Sequence, residues 1–243
     1  MRLLYTILIC LVLIPIKLSA YHDYGVKEKT GSQIAINAEI ILDDSLKIQM
    51  TQLINKPTLL TFVDYNCNSY CPRLIDGIAE LITSNSYVLG LDYQVITLNL
   101  KPAGDASSYK RRLEIKRNFQ NFTGWYFAEA DEESIDRITK GVGYSYIDEK
   151  NEYIHPVVTV LLTPTGKISQ YFYGYYFNYM HFDMGVLNAK NERISTSRIK
   201  TLKYCNEKAP EKNPLVKTII FIAGALIILS ALILFLINTL KRN

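Results

Sequence analysis

The feature that most constrains the fold is the alternation of short apolar runs with amphipathic segments along the middle of the chain. Residues 58–64, TLLTFVD, form an apolar run typical of a buried strand, and residues 93–100, YQVITLNL, form another. Between them, residues 72–84 place leucines and isoleucines on one helical stripe. Two buried strands joined through a helix usually pair in parallel, so the pattern predicts an α/β sheet covered by helices.

The later part of the chain continues this order and ends it with a hairpin. A polar helix is predicted from Asp105 or Ser107 to about Phe119, a strand at 124–130, and a further helix that Asp131 can cap. The apolar runs VVTVLLT and KISQYFYG, separated by PTG, predict a β-hairpin. The expected fold class is therefore an α/β sandwich with parallel strands early and an antiparallel edge late, an order that a thioredoxin-like sheet fits.

Both ends of the chain carry hydrophobic segments that lie outside this fold. Residues 1–20 combine Arg2, an apolar run and small residues before Tyr21, which is typical of a signal peptide. Residues 218–240 carry no charge and are long enough to cross a hydrocarbon core of about 30 Å as one helix. The basic pair that follows favours a cytoplasmic C-terminus. We therefore expect a single-pass protein of the bacterial inner membrane whose functional domain faces the periplasm.

These ends divide the chain and change its charge balance. The remaining parts are a predicted N-terminal extension (21–57), a thioredoxin-like domain (58–203), a linker (204–217) and a cytoplasmic tail (241–243). Five of the 27 Lys and Arg residues lie in or beside the hydrophobic ends, which leaves 22 against 23 acidic residues in the exported part. A nearly neutral domain lacks the concentrated positive charge of nucleic-acid binders, so no nucleic acid partner is expected.

The turn between the first strand and its helix contains two cysteines, in the sequence CNSYCP at 67–72. Four cysteines are too few for a disulfide-stapled scaffold, and Cys10 would leave with the signal peptide, so the exported chain keeps Cys67, Cys71 and the distant Cys205. The close pair could form a structural disulfide, act as a redox pair or bind a metal. A disulfide across so short a loop stabilises little, and α/β folds place functional groups at the ends of central strands.

The position of the two cysteines favours the thiolate form. Cys71 is predicted at the start of the helix and Pro72 near its first position, where the missing N–H costs nothing. The positive end of the helix dipole lowers the pKa of a cysteine, and the thiolate is the form that attacks a disulfide or binds a metal. A redox pair and a metal site therefore both remain open at this point.

A metal site requires a further ligand, and the chain has three histidines, His22, His155 and His181. His22 follows the predicted cleavage site closely and His181 lies in an aromatic run. His155 stands before Pro156, at the entrance to the strand that begins the predicted hairpin. Taken alone, each is more often structural than a ligand. Two thiolates and an imidazole form a soft ligand set, for which copper is the first choice, whereas structural zinc usually takes four protein ligands.

Three stretches of the chain resemble the Sco (SenC) proteins, membrane-anchored thioredoxin-like copper proteins of cytochrome c oxidase assembly. They are CNSYCP at 67–72, which matches the family's C-x-x-x-C-P, FAEADEESIDRITKGVGYSY at 127–146, and IHPVVTVLLTPTGKISQYFYG at 154–174, which holds the family histidine. The resemblance spans most of the exported domain. The predicted C-terminal anchor differs from the common N-terminal one and is similar to that of a bacterial branch of the family.

The resemblance implies that Cys67, Cys71 and His155 are the copper ligands. It also implies a copper metallochaperone for the dinuclear copper centre of cytochrome c oxidase, with oxidase subunit II as client and other copper chaperones or thiol reductants as further partners. Two positions depart from the family's pattern. Asn68 stands where many members have proline, and Ile154 stands where many have an aspartate that can orient the imidazole.

The alternative function is enzymatic, a membrane-tethered thiol–disulfide oxidoreductase that reduces the cysteines of a client. Cys67 or Cys71 would then attack the substrate disulfide, and His155 would not be needed. Cys205 has no part in either hypothesis. Because it lies far from the pair in sequence and close to the predicted anchor, we expect it to be a bystander or a dimer contact.

Overall fold

The computed structural model of this chain describes residues 25–34, 37–42, 46–149, 152–197, 204–205 and 214–240. The chain forms two compact units, Met1–Cys205 and Asn206–Asn243. The predicted signal peptide at 1–20, the predicted tail at 241–243, and Cys10 and His22 lie outside the described residues.

The first unit alternates strands with helices, as predicted. The described strands are β1 (Gly25–Val26), β2 (Glu39–Leu42), β3 (Leu46–Gln49), β4 (Thr58–Val63), β5 (Gln94–Asn99), β6 (Trp125–Ala128), β7 (Tyr144–Ser145), β8 (Ile147–Glu149), β9 (Glu152–Pro156), β10 (Val158–Leu162), β11 (Ile168–Tyr173) and β12 (Tyr204–Cys205). The described helices are α1 (Met50–Leu53), α2 (Tyr70–Ser84), α3 (Ala106–Asn118), α4 (Glu132–Gly141), α5 (Tyr179–Lys190) and, in the second unit, α6 (Pro214–Leu240). Asp105 and Asp131 cap α3 and α4 by accepting hydrogen bonds from backbone N–H groups.

A mixed sheet of five described strands forms the centre of the first unit, in the order β11-β10-β4-β5-β6. β4, β5 and β6 run parallel, whereas β10 pairs antiparallel with both β4 and β11. The parallel early strands and the late antiparallel hairpin confirm the predicted thioredoxin-like α/β arrangement. Every residue of β4 and β5 is buried. Burial on both faces explains why these strands are continuous apolar runs in the sequence.

Alternate residues of β4 point to opposite faces of the sheet and contribute to two apolar clusters. Leu60 and Phe62 belong to one cluster, which α4 covers, and Leu59 and Val63 belong to the other, which α2 covers. The buried stripe of α2 contains the predicted leucines and isoleucines and begins with a cysteine: Cys71, Leu74, Ile75, Ile78 and Leu81. The packing of α2 on the sheet therefore fixes Cys71 at the edge of the core.

The segment predicted as an N-terminal extension contributes to this core. β2 and β3 form a hairpin, and Ile41 of β2 pairs with Glu129, the residue after β6. Several side chains of the segment are buried in the same cluster as Phe62: Ile34, Ala38, Ile40, Leu42, Met50 and Ile54. The compact fold therefore starts before the first strand of the central sheet.

The elements around His155 differ from the predicted ones. His155 lies three residues before the hairpin strand β10, as predicted, but on a strand of its own, β9, within a separate sheet of order β12-β9-β8. β12 lies in the segment predicted as a linker and pairs antiparallel with β9. The sequence IDEKNE, which contains β8 and the start of β9, has no apolar period, and a two-residue strand such as β12 is too short to show one.

The segment predicted to span the membrane, 218–240, is helical and lies within α6. Among the described residues, no helix has both the length and the apolar character that crossing a bilayer requires. The side chains of α6 are described only in part. The structure therefore confirms that this segment is helical, but it does not confirm that the helix spans a membrane.

Candidate metal centre

The two cysteines lie where the chain passes from β4 into α2, at the carboxyl end of the central strands. In the connecting loop, the backbone N–H of Cys67 donates to the carbonyl oxygen of Asp64 at 3.0 Å. α2 begins at Tyr70, so Cys71 is its second residue and Pro72 its third. The helix thus starts two residues before the predicted position. The N–H that Pro72 lacks is still one of the first four, which have no acceptor within the helix.

The two cysteines have different surroundings. Both are in the thiol form, not joined in a disulfide. Cys67 is partly exposed, and the backbone N–H of Ser69 donates to its Sγ at 3.4 Å, with the Ser69 hydroxyl at 3.5 Å. Cys71 is only 2% exposed. The N–H of Ser69 directed at the Cys67 sulfur and the place of Cys71 in the first helical turn can each stabilise a thiolate, whereas the burial of Cys71 opposes its charged form.

The fold brings His155 to Cys71. The imidazole Nε2 lies 3.3 Å from Cys71 Sγ, and the histidine is fully buried. Burial lowers the pKa of His155 to about 4, because a buried imidazolium is poorly solvated, although the hydrogen bond with the Pro156 carbonyl acts in the opposite direction. The imidazole is therefore neutral at pH 7, which is the form that binds a metal.

Tyr144 determines which nitrogen of this imidazole carries the proton. Its hydroxyl lies 2.7 Å from the carbonyl oxygen of Pro156 and 2.8 Å from His155 Nδ1. Because a carbonyl can only accept, the hydroxyl donates to Pro156 and its oxygen accepts from Nδ1–H. The Pro156 oxygen also lies 3.3 Å from Nδ1, where it can accept from the same N–H. Nε2 therefore presents a lone pair towards Cys71 Sγ, as a metal ligand must.

Removing the Tyr144 hydroxyl is expected to abolish the preference of His155 for the Nδ1–H tautomer. In the metal-free Tyr144→Phe variant, the ¹⁵N NMR spectrum of His155 should change from the Nδ1–H pattern towards a mixture of the two neutral tautomers, because only the longer contact with Pro156 remains. The chain has three histidines, so a ¹⁵N-histidine-labelled sample gives few signals.

Tyr171→Phe is the matched control for this measurement. It removes another buried hydroxyl, one that donates to the carbonyl oxygen of Val142 and does not contact His155. We expect its His155 spectrum to equal that of the wild type. A Tyr144→Phe spectrum that also equals the wild type would contradict the assigned tautomer.

The predicted ligand set is only partly assembled. Within the described ranges, no group of three or more His, Cys, Asp or Glu side chains is arranged to hold a metal ion. Cys71 and His155 are adjacent, whereas the sulfur of Cys67 contacts Ser69. A metal held by all three side chains therefore requires the Cys67 sulfur to approach the other two, and its hydrogen bond from the Ser69 N–H can persist, because a metal-bound thiolate still accepts hydrogen bonds.

A cavity of about 130 Å³ opens onto the two cysteines. Its wall includes Asp64 from the loop and Arg111 and Phe119 from the α3 side. Desolvation raises the pKa of Asp64, and the nearby Cys67 adds to this effect, while the N–H of Asn66 opposes it. The cavity gives solvent or a partner access to the exposed thiol, while the Cys71–His155 contact stays covered.

The other candidates lie elsewhere. His181 is on α5, where its Nε2 is 2.6 Å from the side-chain Nε2 of Gln170, and it does not line the cavity at the cysteines. Ile154 is buried, and its aliphatic side chain supplies no carboxylate beside the imidazole. The group that orients the imidazole is the hydroxyl of Tyr144, which sequence analysis missed. No spacing rule connects a tyrosine on β7 with a histidine on β9, because strand pairing and packing bring them together.

Several solved structures share this fold, although no family model and no curated protein sequence matches the chain. A candidate electron transfer protein from Aquifex aeolicus VF5 is 23% identical with a TM-score of 0.60, over 67% of this chain and 95% of that one. Copper-bound ScoI from Arabidopsis thaliana is 21% identical with a TM-score of 0.52, over 65% and 99%. BsSco, a Sco-family cytochrome c oxidase assembly protein with an identified disulfide switch, is 17% identical with a TM-score of 0.55, over 68% and 98%. At these identities the likeness shows the fold alone.

Proposed function

We propose that the chain is a copper protein of the Sco family, a metallochaperone for the dinuclear copper centre of cytochrome c oxidase. The observation that carries the proposal is the 3.3 Å approach of His155 Nε2 to Cys71 Sγ in a buried site next to Cys67. The sequence resemblance supports it, and so does the fold shared with copper-bound ScoI and with BsSco.

The donor atoms fit Cu(I). Two sulfurs and an imidazole nitrogen are soft to intermediate donors, which thiophilic Cu(I) prefers to the oxygen donors of a harder cation. The imidazole is already neutral, so binding has to displace protons only from the thiols. In the proposed complex, Cys67, Cys71 and His155 hold the copper, and the N–H of Ser69 can continue to donate to the Cys67 sulfur.

Delivery in this proposal starts at Cys67. Its sulfur is the more exposed of the two and borders the cavity, so a thiolate of the client can approach there and replace it as a copper ligand. The client is oxidase subunit II, and other copper chaperones or thiol reductants supply copper and keep the pair reduced. Exchange between thiolate ligands needs no change in the oxidation state of copper, but it requires both cysteines to be reduced.

Anchoring at the membrane completes the proposal. Residues 1–20 act as the signal peptide that directs export, and residues 218–240 act as the transmembrane helix that holds the domain at the periplasmic face of the inner membrane. The apolar, uncharged sequence of the second segment supports this. A tethered copper donor has a high effective concentration towards a client in the same membrane, so delivery would not depend on three-dimensional diffusion.

The alternative, a thiol–disulfide oxidoreductase, has weaker support. Thiol exchange needs an accessible attacking sulfur, which Cys67 provides, but it does not need a histidine against the second sulfur. The buried contact between Cys71 and His155 is therefore explained by a copper site, whereas a reductase would not need it.

Copper content of the full chain tests the proposal. The reduced protein, loaded anaerobically with Cu(I) and then challenged with a chelator, should keep about one copper per chain, because thiolates outcompete weaker ligands for Cu(I). Cys71→Ser should keep none, and His181→Ala, the control at a possible ligand that contacts Gln170 and lies outside the site, should equal the wild type. A wild-type chain that holds no copper under these conditions would refute the metallochaperone function.

A further inference from the structure

The loop that carries Cys67 is joined to α3 by the side chain of Asn66. Asn66 directly precedes Cys67, and its Nδ2 lies 2.9 Å from Ser107 Oγ and 3.1 Å from Ser108 Oγ. Both serines lie in the first turn of α3, which begins at Ala106. The neighbour of the partly exposed cysteine is therefore held by an element about 40 residues further along the chain.

The direction of these hydrogen bonds follows from Asp105, the residue that caps α3. Its Oδ1 accepts from the backbone N–H of Ser108 at 2.7 Å and lies 2.5 Å from Ser107 Oγ. The Ser107 hydroxyl and then the Ser108 N–H hold the pKa of Asp105 well below its usual range, so this group is a carboxylate that can only accept. The hydroxyl of Ser107 therefore donates to Asp105, and its oxygen accepts from the side-chain NH₂ of Asn66.

The rest of the loop holds Asn66 in place for this contact. The backbone N–H of Asn66 donates to Asp64 Oδ1 at 2.9 Å, and the N–H of Cys67 donates to the carbonyl oxygen of Asp64 at 3.0 Å. Tyr65 is buried in the core, where its hydroxyl donates to the carbonyl oxygen of Thr97 at 2.8 Å. These contacts fix the loop relative to the central sheet, and the side chain of Asn66 fixes it relative to α3.

Asn66 thereby connects two walls of the cavity at the cysteines. Asp64 and Cys67 line this cavity from the loop, and Arg111 and Phe119 line it from the α3 side. Its volume is only about 130 Å³, so a small shift of either wall changes which molecules can reach the sulfur of Cys67. The contact between the loop and α3 therefore determines the width of the entrance.

We propose that Asn66 is a positioning residue for Cys67. By holding the loop against α3, it fixes the place of the sulfur and the width of the cavity through which a partner approaches. Without this contact, bulky molecules reach the sulfur more easily, and the sulfur is less well placed to bind a metal. The effect on a metal rests on the proposed copper function, whereas the effect on the metal-free thiol does not.

Alkylation of the reduced, metal-free full chain tests the positioning role. N-ethylmaleimide is the small reagent, fluorescein maleimide is the bulky one, and mass spectrometry after digestion reports the modification of Cys67. Asn66→Ala should raise the rate with the bulky reagent by about 5-fold or more, since each lost hydrogen bond shifts the equilibrium between closed and open loop roughly 2- to 10-fold. The rate with the small reagent should change less, whereas a change in the pKa of the thiol would alter both rates together. An unchanged ratio of the two rates would overturn the proposal.

Two further variants define this effect. The double variant Ser107→Ala, Ser108→Ala removes the acceptors and should raise the ratio as Asn66→Ala does. All three substitutions together should add little, because they remove the same contact. Asn85→Ala is the matched control, since this asparagine donates to the carbonyl oxygen of Leu81 at the other end of α2 and should keep the wild-type ratio. An equal rise in Asn85→Ala would indicate a general loosening of the fold and would overturn the positioning role.

Competition with a Cu(I) chelator tests the effect on the proposed copper site. Asn66→Ala should lower the affinity by about 10-fold, the lower end of the roughly 10- to 100-fold that loss of an outer partner costs, and Asn85→Ala should equal the wild type. A wild-type affinity in Asn66→Ala would overturn the role of Asn66 towards the metal, even if the thiol is more accessible. A wild-type chain that takes up no copper but shows the expected alkylation ratios would instead refute the proposed copper function and support the positioning of Cys67.

Discussion

Replacing His155 with alanine is expected to abolish Cu(I) retention and to leave thiol–disulfide exchange intact. The imidazole is fully buried with Nε2 3.3 Å from Cys71 Sγ, so the variant loses a direct donor that no neighbouring side chain in the described ranges can replace. The affinity for Cu(I) should fall by more than about 100-fold, because even an outer-shell partner is worth roughly 10- to 100-fold. Competition with a Cu(I) chelator measures this change.

The same variant separates the two candidate functions. A disulfide substrate should react with His155→Ala within about twofold of the wild-type rate, because the attacking thiolate and not the imidazole governs exchange. His181→Ala is the matched control, since it removes a histidine that contacts Gln170 and lies outside the centre. If His155→Ala keeps both its copper and its exchange activity, the metal centre loses its main support. If the wild type exchanges disulfides rapidly but holds no copper, the oxidoreductase becomes the better hypothesis.

Replacing Glu129 with alanine is expected to lower the free energy of unfolding by about 3–5 kcal/mol, the usual cost of breaking a buried ion pair from one side. Glu129 and Arg112 are 4% and 2% exposed, and Arg112 Nε lies 3.7 Å from Glu129 Oε1. The Nη1 group of Arg112 also donates to the carbonyl oxygens of Ile41 and Phe127, at 3.3 Å each, which ties β2 to β6. Without Glu129, the guanidinium stays buried with no opposite charge.

Denaturation of the reduced, metal-free chain measures this effect, and two controls define it. The double variant Arg112→Met, Glu129→Leu should be destabilised less than Glu129→Ala, because it removes both charges together, although the carbonyl oxygens of Ile41 and Phe127 lose the Arg112 donor. Lys140→Ala breaks an exposed pair with Asp136, of 2.8 Å, and should cost less than about 1 kcal/mol. A loss for Glu129→Ala as small as that for Lys140→Ala would mean that the buried pair contributes little to stability.

The parts of the fold that follow local periodicity were predictable from the sequence. β4 and β5 are continuous apolar runs because they are buried on both faces, and the stripe of α2 is apolar because it packs on the sheet. The helix caps Asp105 and Asp131 were found by the same local logic, since a cap depends on residues within one turn.

The surroundings of His155 were not predictable in this way. The features that matter to the imidazole are the hydroxyl of Tyr144 on β7 and the pairing of β9 with β12, and both bring together segments that are separate in the sequence. The contribution of the predicted N-terminal extension to the core was also not predictable, because its buried residues are spread over short elements. In these places tertiary structure decides what each residue does, and the sequence pattern carries no signal of it.

The contact between Cys71 and His155 joins positions 84 residues apart. A metal bound there would act as a reversible cross-link, and closing a chain loop of that size with a covalent bond lowers the entropy of the unfolded state by the equivalent of about 3–5 kcal/mol. Copper would thus fasten the helix that begins at the cysteines to the strand that carries the histidine. Transfer of the metal to a client would remove this cross-link. The metal-free protein should then unfold at a lower temperature, and be cleaved faster by a protease, than the copper-loaded protein. The copper-loaded protein would therefore persist longer than the metal-free protein.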